Sequence, residues 1–316
     1  MPTAFTRTTL RRSLAAAAAL LLPLTAGCTG LPAAEEAPAP VEATTEPANP
    51  DSLPADEAEQ LDAALNKYAD QADAEISAAV YETATGRAWY YNPTAEYLEA
   101  SLVKVPILLT LLRQATEQER ELTLEEEYLA VMMIEYSDND ATTTLYQAVG
   151  GAPELSRTYE LLGVTETQAA EIWGANATGV EDQLKVARAV LDGVDWINSD
   201  LQAYAVELME NVEADQQWGI SAGLPAGGAE VALKNGWLQD DDLTWNVGSL
   251  GFVRSGGAEY AVVVLTSGTE TMEDGVSVVE DVASVINSFE TTGTPGTPPA
   301  AGDTDGAVWR AGGPEA

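Results

Sequence analysis

Ser101 and Lys104 stand three residues apart in the stretch EASLVKVPILL, at the head of a run of apolar residues. On a helix that spacing puts both side chains on one face. A serine hydroxyl is a poor nucleophile until something takes its proton. A lysine entering an apolar helix is desolvated, and desolvation lowers its pKa toward a value at which the amine can act as a base. A helix start also presents free N–H groups and a positive dipole end, which favour developing negative charge. A plainer account fits the same two residues: a serine cap and an ordinary lysine on a buried helix. The pair alone does not decide between them.

Two further clusters bear on that choice. Ser137-Asp138-Asn139 in IEYSDNDA reads as a helix-breaking turn, because all three side chains form local hydrogen bonds. Ser137 and Asn139 are also short polar groups able to face a cleft. Lys234-Asn235-Gly236-Trp237 lies in the strand-like run VALKNGWL. A lysine there either reaches solvent at an edge or serves a site. Gly236 has no side chain to keep a substrate backbone off the strand. Trp237 either lends its N–H to an oxyanion or packs its ring into a core.

Composition removes most other chemistries. The 316 residues contain no histidine, which excludes a Ser-His-Asp triad, a Cys-His pair and His-ligated zinc. Cys28 is the single cysteine, so no intramolecular disulfide or thiolate cluster forms. No motif asks for a cofactor or a metal. Acidic residues number 51 against 14 basic ones, a net charge of -37. A polyanion such as nucleic acid is repelled by that surface, and no basic patch is visible. Apolar residues make up 46% of the chain, enough for a sizeable core.

The elements that must position these residues follow from periodicity. Residues 1–27 carry Arg7, Arg11 and Arg12, an apolar run from Leu14 to Leu24, and small Ala26 and Gly27. That is an export signal, too short for a spanning helix. Leu24 to Cys28 resembles the bacterial lipobox, with Cys28 as the lipidated residue. The chain is therefore expected outside the cell, lipid-anchored to the membrane through Cys28. Residues 28–53, rich in Pro, Ala, Glu and Thr, and the similar residues 291–316 read as a tether and a tail.

The folded part is expected over 54–290. Pro54 to Glu75 reads as an amphipathic helix through Leu61, Leu65 and Tyr68. A hairpin follows, centred on Thr85-Gly86. Helices are then expected from Ser101, after the Thr123/Glu126 capping box, through ATTTLYQAV, through PELSRTYELLG, and near 180–192 and 200–213. Three strands come after Glu230, and a last helix runs from about Met272 to Phe289. The economical assembly is α+β: an antiparallel sheet of about five strands, flanked by the N- and C-terminal helices. An all-helical lobe over about 101–215 is inserted in it. A cleft between lobe and sheet is the usual place for a site.

The three clusters occur in a telling order: S-x-x-K at a helix start, S-D-N in a helical lobe, and K-[T/N]-G on a late strand. In this the chain resembles the serine β-lactamase and penicillin-binding protein superfamily, in particular its class A-related serine hydrolases, over roughly residues 75–290. The resemblance implies that Ser101 is the acylated nucleophile and Lys104 its base. It implies that Ser137 relays a proton to the leaving nitrogen and that Asn139 holds the substrate amide. Lys234 would attract a substrate carboxylate, with Asn235, Gly236 and Trp237 lining the strand where substrate docks. The backbone N–H groups of Ser101 and Trp237 would form the oxyanion hole. The implied partner is a β-lactam or a cell-wall peptide, bound by a monomer.

The chain also departs from that pattern. After ELLGV it leaves little room for the loop that carries the deacylating glutamate of class A enzymes. Glu171 and Asn176 in EIWGAN stand one residue too far apart and lack the family's proline, which makes Glu171 a weak candidate for that base. Asn235 replaces a threonine, and the stretch from Lys104 to Ser137 is short. The expectation is competent acylation with slow turnover. A peptidase-type penicillin-binding protein is the nearest alternative, and a non-catalytic cell-envelope binding lipoprotein is a second.

Overall fold

Apolar residues dominate the late strands, and in the computed structural model both faces of these strands are buried. The structure describes residues 51–225 and 227–297. The export signal, Cys28, the tether as far as residue 50 and the tail from residue 298 lie outside the described residues. Helix α1 (Ala55–Ala69) precedes a hairpin of β1 (Glu75–Glu82) and β2 (Arg87–Tyr91). A short strand β3 (Tyr97–Leu98) and a 3-10 turn (Ala100–Val103) lead into α2 (Lys104–Glu117). Helices α3 (Leu124–Ile134), α4 (Asn139–Ala148) and α5 (Gly151–Leu162) follow. Then come β4 (Ala177–Thr178), α6 (Val180–Leu191) and α7 (Ser199–Glu210). Strands β5 (Glu230–Gln239), β6 (Trp245–Ser255) and β7 (Ala258–Thr269) and helix α8 (Met272–Thr292) complete the described chain.

The five long strands form one sheet in the order β2-β1-β7-β6-β5, every pair antiparallel. Side chains of a strand alternate between faces, and β7 divides accordingly. Ala261, Val263 and Leu265 join a core shared with α2 to α7, while Tyr260, Val262 and Val264 join one shared with α1 and α8. The sheet is thus the middle of three layers. This matches the expected α+β architecture, with one refinement: the helical lobe is continuous with one face of the sheet through a common core.

Local chemistry accounts for most boundaries. Thr123 and Glu126 form the reciprocal capping box at the head of α3, a device worth about 1 kcal/mol. Pro106 sits in the first turn of α2, where a missing N–H removes no intrahelical bond. Helix α1 stops at Ala69, short of the expected Glu75, because Glu75 already pairs with Ser267 in the sheet. The folded part also begins earlier than expected: Leu53 is buried, and Ser52 bridges to Ala88 beside β2. At the other end α8 runs to Thr292, where Gly293 closes it in a left-handed conformation. The two-stranded pair β3–β4 has no counterpart among the elements expected from periodicity.

Candidate active site

The residues ahead of Ser101 are stitched to a distant loop. Strand β3 pairs with β4, the Glu99 N–H donates to the Asn176 carbonyl at 2.8 Å, and the Ala100 N–H donates to the Gly174 carbonyl at 2.8 Å. Gly174 has φ +82, and a Cβ there would lie 3.1 Å from the Ala100 carbonyl, so the loop approaches this closely only with glycine. Ala100 itself is held at φ +49, a conformation that disfavours any side chain by roughly 1–2 kcal/mol. Such strain persists only where surrounding bonds over-determine it. Ser101 follows inside the 3-10 turn, whose cap position is Glu99, half-buried and with no side-chain hydrogen bond among the described residues. The cap reading of Ser101 therefore drops out, and its hydroxyl is left available.

Lys104 opens α2 with no exposed surface. Its Nζ donates to the Ser137 carbonyl at 2.6 Å, to Ser137 Oγ at 3.0 Å and to Asn139 Oδ1 at 2.9 Å. Burial lowers its pKa to about 7, against the attraction of Asp138, which raises it. Lys234 reaches the same point from β5, also fully buried, and donates to Ser137 Oγ at 3.0 Å and to the Asn235 carbonyl at 2.9 Å. Burial and the charge of Lys104 push its pKa well below the lysine range.

Ser137 is the hub between these two amines. It is held at φ +56, while Asp138 caps α4 by accepting from the Ala141 N–H at 2.7 Å. The S-D-N cluster is therefore a turn with a second set of bonds: the cap formed by Asp138 fixes Ser137 and Asn139 on either side, and both meet Lys104. A hydroxyl oxygen has two acceptor sites and one proton. Ser137 Oγ uses both acceptor sites on lysines, which leaves its own proton free for a third atom. The arrangement can take a proton at Lys104 and return one through Ser137.

On β5 the parity of the strand separates the sequence-assigned residues. Lys234 points to the helical side. Asn235 is fully buried and donates its amide to the carbonyls of Gln216 at 2.8 Å and Trp218 at 3.1 Å. Its side chain thus fastens the segment before β5. Gly236 faces the 100–103 turn so closely that a Cβ would lie 2.9 Å from the N atoms of both Ser101 and Leu102. The ring of Trp237 tilts against Trp218, with centroids 6.0 Å apart, and borders the core under α1 and α8.

Residues 163–179 connect α5 to α6 and lie against the residues ahead of Ser101, so the site is more enclosed here than the sequence suggested. The Trp173 ring stands 5.3 Å from Lys104 Nζ, and its indole N–H donates to Thr143 Oγ1 at 3.1 Å. Glu171, two residues earlier, is exposed and bonded to nothing among the described residues. Among those residues no carboxylate is bonded to Lys104. Sequence reasoning missed Trp173, although the motif EIWGAN placed it beside the residues weighed for that role.

Trp173 shields Lys104 from water, and this gives a testable outcome. A cation–π contact favours the ammonium by only about 0.5–2 kcal/mol, whereas burial is the leading cause of the lowered pKa. Trp173→Ala therefore raises the pKa of Lys104 from about 7 toward the ordinary lysine value. The pH profile of Ser101 modification moves upward with it, and Trp173→Phe leaves it near its original place. An unmoved profile in the alanine variant would show that the ring does not control the amine.

Comparison with known proteins bears on the family and the fold. The model of the beta-lactamase enzyme family matches residues 59–129 and 118–289. Among solved structures, that of PBP-A is 19% identical, covers 75% of this chain and 97% of its own, and has a TM-score of 0.64. A class A beta-lactamase from Bacteroides cellulosilyticus is 14% identical over 75% of this chain and 99% of its own, at a TM-score of 0.67. The TLA-1 extended spectrum beta-lactamase is 15% identical over 75% and 100%, also at 0.67. At these identities the likeness is one of fold. No curated protein is similar enough in sequence to match.

Proposed function

The chain belongs to the beta-lactamase enzyme family, and from that premise we propose that it is a serine hydrolase forming an acyl-enzyme on Ser101 with β-lactams or related amides and esters. The observation that carries this reading is the Ser137 hydroxyl, held at 3.0 Å from both Lys104 Nζ and Lys234 Nζ. Two buried amines converge there with no carboxylate among the described residues bonded to either, in a chain of net charge -37. Burial without a counter-charge keeps both amines from holding their protons, and the carboxylate of a substrate is the group that would let Lys234 hold one.

In the proposed reaction, neutral Lys104 takes the Ser101 proton as Oγ bonds to the substrate carbonyl carbon. The bond from that carbon to nitrogen then breaks, and Ser137 passes a proton to the leaving nitrogen. The oxyanion lies between the N–H groups of Ser101 and Trp237. Backbone groups of an edge strand alternate sides. Since the Asn235 carbonyl meets Lys234 at the free edge of β5, Trp237 presents its N–H on that same edge. The first N–H groups of a helical turn have no intrahelical acceptor, which suits Ser101 N–H to the partner role.

Release of the acyl group is the slow step in this reading. Trp173 stands over Lys104 where a water-activating carboxylate would be needed, and Glu171 faces solvent. Intact-mass measurement after mixing with a penicillin tests both halves. The expected result is a one-to-one adduct that persists, absent in Ser101→Ala. An unlabelled wild type would favour a binding protein, and rapid steady-state hydrolysis would restore a deacylating base such as Glu171. Attachment of the chain to a membrane through Cys28 is part of the same proposal, and mass analysis of the protein from its native membrane tests it.

A further inference from the structure

Glu99 is fully buried two residues before Ser101, and no lysine or arginine is bonded to it among the described residues. Its carboxyl is met from three elements. Tyr159 of α5 donates to its two oxygens at 2.8 and 3.0 Å, Asn176 of the 163–179 loop donates at 2.8 Å, and Gln183 of α6 donates at 3.1 Å. Its backbone N–H meets the same loop at the Asn176 carbonyl. Two buried acceptors beside it, Asn176 Oδ1 and Gln183 Oε1, have no hydrogen-bond partner. Buried polar atoms without partners are rare and call for an explanation.

A carboxylate can only accept, but a carboxylic acid also has one proton to give. Rotation of either amide would turn an orphaned oxygen toward that proton, while Tyr159 and the other amide still donate. We propose that Glu99 is the positioning residue for Ser101, fastening the 163–179 loop, α5 and α6 to the nucleophile turn as a neutral acid that donates as well as accepts. This rests on the reading of Ser101 as nucleophile only for its effect on rate; the fastening itself does not.

The charged surroundings agree. Asp182 of α6 adds negative charge near Glu99, and the phenols of Tyr159 and of Tyr146 on α4 feel the charge of Glu99 in turn. Burial pushes the Glu99 carboxyl up to about 7, against the bonds from Tyr159, Asn176 and Gln183 that pull it down. Once the loop opens and water enters, the group returns toward the ordinary value of 4.5. The fastened state therefore binds the proton more tightly than the open one. By linkage the fastening is strongest below about 4.5, weakens as pH rises to about 7, and then levels off.

Hydrogen exchange of peptides covering 163–179 tests this in the folded protein, with rates corrected for intrinsic pH dependence. In wild type, protection of the loop is expected to fall as pH rises from about 5 to about 7, mostly below the range in which Lys104 under Trp173 loses its proton. In Glu99→Gln, which carries a neutral head with a donor and an acceptor, protection stays constant and penicillin labelling stays within about threefold of wild type. Glu99→Ala leaves Tyr159, Asn176 and Gln183 without their partner, and labelling falls by about tenfold or more. Should the alanine variant not fold, the glutamine variant decides. A pH dependence in Glu99→Gln equal to that of wild type, or undiminished labelling in a folded Glu99→Ala, would overturn the proposal. If wild type itself takes no label, the reading of Ser101 fails, and the loop exchange still decides for Glu99.

Discussion

Lys104→Ala is expected to slow acylation of Ser101 by about a thousandfold, the scale on which a positioned general base contributes. The reason lies in how the amine is bonded. As an ammonium, Lys104 uses three N–H bonds on the Ser137 carbonyl, Ser137 Oγ and Asn139 Oδ1. It then has no lone pair with which to accept a proton. Losing one proton frees a lone pair and turns one of those contacts into an accepting one. Because burial has brought the pKa to about 7, that form is present at neutral pH, whereas at the ordinary lysine value it would be scarce. The sign follows directly: in wild type the acylation rate rises as pH increases through about 7, since the neutral amine is the active form. In Lys104→Ala that rise disappears along with most of the rate. Stopped-flow labelling across pH measures both. A variant that keeps the rise would move the base to another group.

Gly236→Ala is the second large effect. The new Cβ would lie 2.9 Å from Ser101 N and from Leu102 N, and real Cβ atoms do not come that close to backbone nitrogen. Neither side can yield freely. Strand β5 is fixed in register with β6 through Gly236 and Gly248, and the nucleophile turn is tied to Gly174 and Asn176. The turn must shift by a few tenths of an ångström or more, carrying both Ser101 Oγ and the Ser101 N–H with it. Displacements of about 1 Å at a reacting centre cost about a hundredfold in rate, and a lost oxyanion donor alone costs about a hundredfold to a thousandfold. We expect acylation to fall at least a hundredfold. Overpacking should destabilise the fold by roughly 1–3 kcal/mol as well. Labelling kinetics and thermal unfolding read the two effects separately. Wild-type kinetics in this variant would mean that strand and turn are looser than their spacing indicates.

Features set by neighbours along the chain are legible in the amino-acid sequence itself. The unbroken apolar run in AVVVLTSG marks a strand buried on both faces, and Thr123 with Glu126 marks the start of α3. Their causes are local, so a few residues suffice. The meeting of Lys104, Ser137, Asn139 and Lys234 is legible too, because the order of their motifs carries information that each lacks alone. What escapes is chemistry assembled across the chain. Glu99 meets Gln183 from 84 residues away, and no local pattern announces that meeting. An acid between Leu98 and Ala100, ahead of a buried helix, is the one available sign. Asn235 is a different case. The two-residue period of a strand already requires Asn235 to face away from Lys234, and the family motif obscures that simpler rule. Trp173 is hidden because the spacing of Glu171 and Asn176 draws attention to the carboxylate, when the large indole between them is the part that reaches Lys104.

The strand order also sets when the catalytic centre can exist during folding. Strand β1 pairs with β7, so Glu75 must find Ser267 before the sheet is whole. Lys234 and Gly236 lie on β5, which is joined to the sheet only through β6 and then β7. The helices between can form early from local contacts, but contacts of such long sequence separation come late and slow the search. A nascent chain therefore carries Ser101 and Lys104 long before it carries the strand that completes their surroundings. Until β7 docks, Ser101 is present in the polypeptide and the surroundings proposed to activate it are not, which would confine that reactivity to the finished molecule.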